Sequence, residues 1–301
     1  MKAELAIHSR DLVGEAPIWD AEEQRLLWVD HQRGIVHEAR SDGSNWRETR
    51  QWRLERPIAA ALPRTRGGIA IVGALRIDVL DADGRMTPFA QIDADPQRER
   101  LNDAKCDRLG RLWAGSLAVD FQRGAAALYR IDCDGRVHTV LQGLTLANGL
   151  DWSPDGSTFY LVDTAALSVY AFDFDSERGA LANKRTLLHI ERGAGGPNGL
   201  AVDSVGCLWL ALTGGGVVRR YSPHGEPLDQ IELRTAGPTS CAFGSADGAE
   251  LLITTRSGQM PVIAAELGIR PEMQDCSDAD AGALHVCRPG VSGAAATPFA
   301  G

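Results

Sequence analysis

The sequence predicts an all-β fold, a six-bladed β-propeller made of four-stranded antiparallel blades. The first observation is a recurring frame: a polar pair such as Asn-Gly, an apolar run, a turn containing Asp and Gly, and an aromatic residue entering a strand. The second is the spacing, because the strand residues that follow these turns lie 42 to 49 residues apart, which is the length of a propeller blade. The third is that no segment sustains the apolar period of 3.6 that a helical repeat requires.

The blades can be assigned in chain order from these frames. Blade 1 begins at Gly14, and blade 2, at 57–84, is the faintest copy. Blades 3, 4 and 5 carry the clear frames at 101–116, 147–163 and 195–212. The residues that mark the second strand of each blade are Trp28, Ala70, Trp113, Tyr160, Trp209 and Leu252.

The end of the chain holds the sixth blade and one irregular segment. Blade 6 begins at 237–255 and resumes near residue 282, and we expect the intervening 256–280 to be an inserted loop with one helical turn. We predict a single propeller domain over residues 1–301, closed by an N-terminal strand that completes the last blade.

Composition narrows the classes of function. The chain has 301 residues and a formal net charge of −9, with no basic stripe, which argues against a nucleic-acid partner. No apolar run has the length of a signal peptide core or a membrane span, so we expect a cytoplasmic protein without a membrane partner. The six cysteines show no Cys-x-x-Cys spacing and are expected to be free thiols. The oligomeric state cannot be read from this surface.

Counting back from the markers places polar residues at one level of the propeller. The residues 11 to 13 positions before the markers of blades 1, 3, 4, 5 and 6 are Glu15, Asn102, Asn148, Asn198 and Ser240. Equivalent positions of successive blades surround the central channel, so these oxygens are predicted to ring one end of it. Such oxygens suit a hard divalent cation. The alternative for any single Asn-Gly pair is a turn without a ligand, since asparagine tolerates the left-handed region.

One charged residue beside this ring is a further candidate for chemistry, whereas other polar residues are expected to be structural. Arg100 flanks Asn102 and is a candidate for holding a polar or anionic substrate oxygen. Four Asp residues of the turns are expected to cap tight turns on the blade exterior: Asp107, Asp155, Asp203 and Asp247. His31, His37 and His285 are expected to be packing or surface residues. No Gly-x-Ser-x-Gly motif supports a serine hydrolase.

Four motifs together resemble the regucalcin/gluconolactonase family of six-bladed propellers. They are Gly14-Glu15-Ala16-Pro17-Ile18-Trp19, Arg100-Leu101-Asn102-Asp103, Asn148-Gly149-Leu150-Asp151-Trp152-Ser153 and Pro238-Thr239-Ser240-Cys241-Ala242-Phe243-Gly244. The C-terminal segment is also similar, so the resemblance spans nearly the whole chain. It implies a single divalent cation in the channel, either Ca²⁺, Zn²⁺, Mn²⁺ or Mg²⁺, and hydrolysis of sugar lactones.

The resemblance also implies roles for individual residues. The metal ligands fall on Glu15, Asn148 and Asn198, and the substrate-binding residues on Arg100 and Asn102. Asp103 corresponds to an acidic residue beside the metal, and Asp120 stands, as a weaker match, where some members carry a substrate-contacting Glu.

The chain departs from the family pattern at Asn198, where regucalcin-like members usually carry an Asp that binds the metal and is proposed as the general base. An amide oxygen can coordinate a cation but cannot take a proton, so the ligand set falls from two negative charges to one. The proton acceptor would then be Glu15, Asp103 or a hydroxide held by the cation.

These observations lead to a metal-dependent hydrolase that opens sugar lactones to aldonic acids. Two alternatives remain: a propeller that binds a cation or a sugar without turnover, and an esterase or phosphotriesterase that uses the same site. The identity of the sugar and of the metal stays open.

Overall fold

The computed structural model describes residues 1–258, 263–269 and 278–301, and over these residues the chain forms six four-stranded antiparallel sheets. The predicted β-propeller class is therefore confirmed. All six marker residues lie in the second strand of their blade, as the spacing indicated. Each of blades 1 to 5 is a simple meander in which consecutive strands pair.

The strands have the following bounds. Blade 1 contains β2 (Gly14–Asp20), β3 (Arg25–Asp30), β4 (Ile35–Ser41) and β5 (Trp46–Arg53). Blade 2 contains β6 (Ala60–Pro63), β7 (Ile69–Gly73), β8 (Arg76–Leu80) and β9 (Met86–Gln91). Blade 3 contains β10 (Glu99–Cys106), β11 (Leu112–Ala118), β12 (Ala126–Ile131) and β13 (Val137–Leu144). Blade 4 contains β14 (Ala147–Trp152), β15 (Thr158–Asp163), β16 (Ser168–Asp175) and β17 (Ala180–His189). Blade 5 contains β18 (Gly196–Val202), β19 (Leu208–Thr213), β20 (Val217–Tyr221) and β21 (Pro227–Glu232). Blade 6 contains β22 (Pro238–Gly244), β23 (Glu250–Thr255), β24 (Leu284–Cys287) and, from the other end of the chain, β1 (Glu4–Ile7).

The ring closes through the N-terminal strand, as predicted. β1 pairs antiparallel with β24, with Leu5 opposite His285, and so supplies the outermost strand of blade 6. Because the last blade is built from both ends of the sequence, the pairing of β1 with β24 closes the ring between the sixth and first blades. Unfolding of the N-terminal strand would therefore expose the edge of blade 6.

The core lies within and between the blades rather than at one centre. The second strands are almost completely buried, and Trp28, Trp113 and Trp209 have no exposed surface. Between blades 3 and 4, Trp113 packs against Trp152 and Phe159, with ring centroids 6.1 and 5.4 Å apart. Large side chains in these seams exclude water from both faces of each sheet, which is why the second strands read as continuous apolar runs.

The turn aspartates are structural, in agreement with the sequence, but two of them are buried. One carboxylate oxygen of Asp107 accepts bonds from two turn N–H groups, and the other accepts from Trp113 Nε1 at 2.9 Å. Asp203 makes the same set of bonds in blade 5. Asp155 and Asp247 cap their turns at exposed positions. The expectation that all four lie on the blade exterior is thus wrong for the buried pair, whose carboxylates also anchor a core indole.

The irregular segment falls inside blade 6, between β23 and β24. Its described part contains one helical turn, α1 (Ile263–Glu266), as expected; the rest of the predicted loop in 259–262 and 270–277 lies outside the described residues. Leu267 and Ile269 are buried against residues of blades 4 and 5. The described part of the insertion therefore packs against blades 4 and 5. In the part of the chain that is described, no helix is both long and apolar enough to cross a membrane.

The described cysteines carry no disulfide. Cys106, Cys207, Cys241 and Cys287 are buried free thiols, and Cys133 is partly exposed. Burial raises the pKa of the Cys106 thiol well above its ordinary value, which leaves it protonated and unreactive. The predicted free thiols are confirmed for these five positions.

His37 belongs to a buried ion cluster in blade 1 and is therefore more than a packing residue. Its ring stacks on Trp28 at 4.6 Å, Nε2 lies 3.0 Å from Asp11, and Nδ1 contacts Glu48. Burial opposes the charged ring, but the hydrogen bonds to Asp11 and Glu48 outweigh it and raise the pKa of His37 to about 9. The cluster links the segment before β2 to the middle and outer strands of blade 1.

We predict that this cluster makes stability fall with rising pH. An unfolded histidine has a pKa of about 6.5, so the stabilisation is complete below that pH and is lost as pH rises through about 9. The free energy of unfolding should drop by roughly 3 kcal/mol over this interval. Urea unfolding of wild type, His37→Gln and the control His224→Gln between pH 6 and 9.5 would measure it. An equal pH slope in wild type and His37→Gln would contradict the assignment.

Candidate functional site

One end of the channel opens into a pocket of about 200 Å³ beside the first residues of the inner strands. Five residues singled out from the sequence line it, namely Glu15, Arg100, Asn102, Asn148 and Asn198. They come from blades 1, 3, 4 and 5, so the structure brings together side chains that the blade offsets placed at one level. None of the described lining residues comes from blade 2, whose inner strand is apolar.

Each of the four ring residues predicted for blades 1, 3, 4 and 5 lies at a break in the pairing of its inner strand. The register with the second strand breaks after Glu15, across Asn102, across Asn148 and across Asn198. A bulge turns a side chain out of the regular alternation of a strand. Here it directs the polar residues toward the channel while the residues on either side keep packing between blades.

The backbone at the ring leaves no room for larger residues. A Cβ on Gly149 would overlap the Gly199 and Leu200 backbone, and one on Gly199 would overlap Ser240. The glycine of each Asn-Gly pair therefore permits close approach of the next blade, which explains the pair better than turn formation does. Ala16, beside Glu15, has a φ of 48° in the left-handed region. Non-glycine residues are uncommon there, and such strain concentrates at functional sites.

The blade 6 member of the ring is Thr239, not Ser240. The bulge of β22 contains one residue, between Pro238 and Ser240, as does that of β10 between Leu101 and Asp103. Between the bulge and the turn, however, blade 6 has five residue pairs and blade 3 has four. The hairpin is therefore longer in blade 6, and counting back 12 positions from Leu252 stops one residue short of Thr239. Thr239 lines the pocket, and Ser240 is buried in the regular part of the strand.

Hydrogen bonds between blades hold the ring. The Asn102 amide donates through Nδ2 to the Ala147 carbonyl at 2.9 Å and to Asn148 Oδ1 at 3.0 Å. Asn148 Nδ2 donates to Thr164 Oγ1 at 2.8 Å, and that hydroxyl donates to the Pro197 carbonyl at 2.6 Å. Blades 3, 4 and 5 are thus connected by a continuous chain of polar contacts.

The next blade repeats this arrangement. Asn198 Nδ2 donates to Thr213 Oγ1 at 3.1 Å, and that hydroxyl donates to the Pro238 carbonyl at 2.6 Å. The same Nδ2 lies 3.3 Å from Glu15 Oε1, across the channel. These two contacts use both amide hydrogens of Asn198, and its Oδ1 is buried without a protein partner. A buried acceptor without a donor is costly, so this oxygen is a fitting ligand for a cation.

Glu15 is the only acid among the described residues that line the pocket. Burial and the nearby Asp103 charge raise its pKa well above the ordinary value, while hydrogen bonds from Asn198 and the Ala16 amide act in the opposite direction. The ring thus offers one carboxylate and two amide oxygens. No group of three or more His, Cys, Asp or Glu that could hold a metal occurs in the described parts of the chain, so an ion here would rely on these amides.

The other two predicted acids lie away from the pocket lining. Asp103 is buried one residue beyond the β10 bulge, and burial raises its pKa to about 6, although the Lys105 charge lowers it. Its negative charge raises the pKa of the Glu15 carboxyl. Asp120 is exposed after β11, where it accepts the Gln122 N–H at 2.9 Å. The structure therefore does not bring Asp120 to the ring.

Arg100 provides positive charge on the blade 3 side of the pocket. Its Nε is buried without a hydrogen-bond partner, and burial lowers its pKa. The neighbouring His31 is buried as well, and burial together with the Arg100 charge lowers its pKa to about 4. At neutral pH the imidazole is therefore uncharged, and Arg100 is available to an oxygen that enters the pocket.

Sequence reasoning missed a second set of lining residues. They all lie four positions after a blade marker, at the end of the second strand: Gln32, Leu117, Thr164, Thr213 and Arg256. A strand that runs antiparallel to the inner strand ends where the inner one begins, so this offset follows from the meander itself. The same count from the markers would have found them. His31, expected to be a packing or surface residue, is buried beside Gln32.

A larger cavity of about 310 Å³ lies at the opposite end of the channel. Its central charges are already paired, with Lys105 Nζ 2.8 Å from Asp151 Oδ2, and that same oxygen accepts the Val202 N–H at 3.0 Å. Residues 293–297 cover this end. The unpartnered acceptor and the unpaired guanidinium lie at the Glu15 end, which is therefore the candidate site.

Comparison with known proteins points to one family. Residues 13–257 match the family model described as the SMP-30/Gluconolactonase/LRE-like region. Regucalcin of Danio rerio is 35% identical over 280 residues, which cover 90% of this chain and 92% of that protein. The 6-deoxy-6-sulfogluconolactonase of Pseudomonas putida is 34% identical over 252 residues, covering 83% and 85%. The crystal structure of a calcium-binding protein, regucalcin, from Agrobacterium tumefaciens superposes with a TM-score of 0.87 at 22% identity, covering 99% and 98% of the two chains.

Proposed function

This chain belongs to the SMP-30/Gluconolactonase/LRE-like family, and on that premise we propose that it is a lactonase that hydrolyses sugar lactones to aldonic acids with one divalent cation at the Glu15 end of the channel. A relative whose name states a sugar lactonase activity, at 34% identity, supports the reaction class. The observation that carries the proposal is the convergence of the Glu15, Asn148 and Asn198 oxygens on one pocket.

The residues present fit a hard cation. Glu15 supplies the negative charge, and Asn198 supplies a buried oxygen that no protein group satisfies. Asn148 supplies an oxygen already oriented by Asn102 at 3.0 Å. Ca²⁺, Mn²⁺, Mg²⁺ and Zn²⁺ all accept oxygen ligands, and calcium binding is stated for a structural relative. A bound cation would polarise the lactone carbonyl and lower the pKa of attacking water.

The remaining side chains have distinct tasks in this proposal. The Arg100 guanidinium donates hydrogen bonds to hydroxyls of the sugar lactone or to the carboxylate that hydrolysis releases. Asn102 forms the adjacent wall of the pocket. Asn198 cannot take the proton from water. Asp103, with a pKa of about 6, has the basicity that suits a proton acceptor near neutral pH, and Glu15 lies closer to the pocket. Asp120 has no task here, because it is exposed after β11 and accepts a hydrogen bond within its own turn.

The proposal is tested by following acid release from aldonolactones with a pH indicator. EDTA-treated protein should not accelerate hydrolysis beyond the buffer rate, and adding Mn²⁺, Zn²⁺, Ca²⁺ or Mg²⁺ should restore acceleration with at least one of them. Each cation is also measured without protein, because lactones hydrolyse spontaneously. Absence of cation-dependent acceleration on gluconic, galactonic, xylonic and arabinonic lactones would overturn the lactonase proposal.

A second candidate function is a propeller that binds a cation or a sugar without turnover. It is favoured by Asn198, since the ring has one carboxylate and no proton acceptor at that position. A cation-dependent rise in melting temperature without hydrolysis of any lactone would support it. Acceleration confined to aryl esters or phosphotriesters would instead support an esterase or phosphotriesterase that uses the same pocket.

A further inference from the structure

We propose that Thr164 and Thr213 are positioning residues for the proposed cation ligands, because their hydroxyls fix Asn148 and Asn198 with the amide oxygens toward the channel. The inference rests on the proposed function, since it concerns the same cation. Both threonines lie at the end of a second strand and are buried. Their hydroxyls each join one asparagine of the ring to the backbone of the following blade.

The direction of these bonds follows from the number of hydrogens. A threonine hydroxyl has one hydrogen and two lone pairs. The Thr164 hydrogen goes to the Pro197 carbonyl, which has no hydrogen to offer, at 2.6 Å. Only lone pairs of Oγ1 then face Asn148, 2.8 Å away. The Asn148 group that meets them must be NH₂, so its Oδ1 points to the other side.

The same reasoning holds for Asn198 in blade 5. Thr213 donates to the Pro238 carbonyl at 2.6 Å and accepts from Asn198 Nδ2 at 3.1 Å. If the amide were reversed, its oxygen would face the lone pairs of Thr213 and also the Glu15 carboxylate, which lies 3.3 Å from the present nitrogen. Two repulsive contacts would replace two attractive ones. The orientation that leaves Oδ1 free is therefore strongly preferred.

The carbonyls that anchor the threonines are part of the same ring. Pro197 directly precedes Asn198, and Pro238 directly precedes Thr239. Thr239 in turn donates to the Gly14 carbonyl, which directly precedes Glu15. Each blade thus fixes the backbone that carries the pocket residue of the next one, from blade 4 round to blade 1. Loss of one hydroxyl should affect a ligand in its own blade and the position of its neighbour.

Valine and serine substitutions separate positioning from packing. Thr164→Val and Thr213→Val keep the side-chain shape but remove the hydroxyl, so each asparagine NH₂ loses its acceptor and each proline carbonyl loses its donor. Thr164→Ser and Thr213→Ser keep the hydroxyl. Thr255→Val serves as the matched control, because it removes an equally buried hydroxyl, bonded at 2.7 Å to the Ala283 carbonyl, that has no contact with the ring.

Cation affinity is measured by titration calorimetry on EDTA-treated protein with Ca²⁺ and Mn²⁺. We expect each valine variant at 164 and 213 to weaken binding by about 10-fold or more, as loss of partners that orient ligands generally does. The serine variants and Thr255→Val should stay within about threefold of wild type. Side-chain amide signals of ¹⁵N-asparagine-labelled protein give a readout without cation: the protected NH₂ groups of Asn148 and Asn198 should persist in the serine variants and exchange faster in the valine variants.

The outcomes distinguish this inference from the lactonase proposal. Cation binding that depends on both hydroxyls, without turnover of any lactone, would leave the positioning role standing and remove the lactonase. Unchanged affinity in both valine variants, or losses equal to that of Thr255→Val, would overturn the positioning role even if lactones are hydrolysed. A wild-type protein that binds neither cation would overturn it as well.

Discussion

Replacing Glu15 with glutamine is expected to lower kcat/KM for lactone hydrolysis by roughly 100-fold or more and to abolish the cation-dependent rise in melting temperature. Glu15 is the one acid among the described residues that line the pocket. The substitution keeps the shape of the side chain and an oxygen for the bond from Asn198, which is 3.3 Å long. It removes only the negative charge that a divalent cation requires.

The stability of the cation-free variant should be equal to or greater than that of wild type. Burial disfavours the charged form of Glu15, as the direction of its pKa shift shows, and a neutral amide does not carry that cost. Loss of activity with an intact melting temperature would therefore separate ligation from folding. Glu22→Gln, at an exposed turn of the same blade, removes the same charge away from the pocket and should keep wild-type activity. Full cation affinity in Glu15→Gln would exclude this residue as a ligand.

The sequence was sufficient for the fold because the propeller repeats its signals. Turns with Asp and Gly recur along the chain, the marker residue is aromatic in blades 1, 3, 4 and 5, and the markers keep a spacing of 42 to 49 residues throughout. Blade 2 is recognised mainly from its place between stronger copies. The closing strand β1 was also predictable, since a ring without such a strand would leave an open edge in its last blade.

The sequence predicted which residues form the site but not the hydrogen bonds that connect them. Offsets brought Glu15, Asn102, Asn148 and Asn198 to one pocket, because equivalent residues of a repeat occupy equivalent places. The hydrogen bonds that orient them join residues from 15 to 183 positions apart in the sequence, and no local pattern encodes those pairings. The single error of register, Ser240 for Thr239, arose because the first hairpin of blade 6 has one residue pair more between bulge and turn than that of blade 3, and the spacing of the markers does not show this length.

The pKa of Asp103 illustrates another limit of the sequence. Its neighbour Asn102 lines the pocket, yet the bulge between Leu101 and Asp103 places the acid deeper in the channel. Only that depth explains why burial raises its pKa to about 6. A sequence shows that two acids belong to the same region, whereas their exposure decides which one takes a proton near neutral pH.

Replacing Asn198 with aspartate is expected to raise cation affinity by at least about tenfold, because affinity at oxygen sites increases with the number of charged ligands. The new carboxylate would occupy a position whose amide oxygen is buried without a protein partner. Without cation the same variant should be less stable than wild type. A second carboxylate would lie about 3.3 Å from Glu15, and Thr213 has no hydrogen left to donate to it, since its hydroxyl already donates to Pro238.

The two effects have opposite signs, which makes the measurement decisive. Melting temperature without cation should fall, melting temperature at saturating Ca²⁺ or Mn²⁺ should recover, and the interval between them should widen beyond that of wild type. Asn45→Asp, in an exposed turn, adds the same charge without reaching the channel and should change neither value. If Asn198→Asp lowers stability but leaves cation affinity unchanged, residue 198 does not touch the cation. If cation affinity and kcat both rise, the wild-type protein is an active lactonase whose rate is limited by Asn198. If turnover appears only in the variant, the wild-type propeller binds its cation without catalysis.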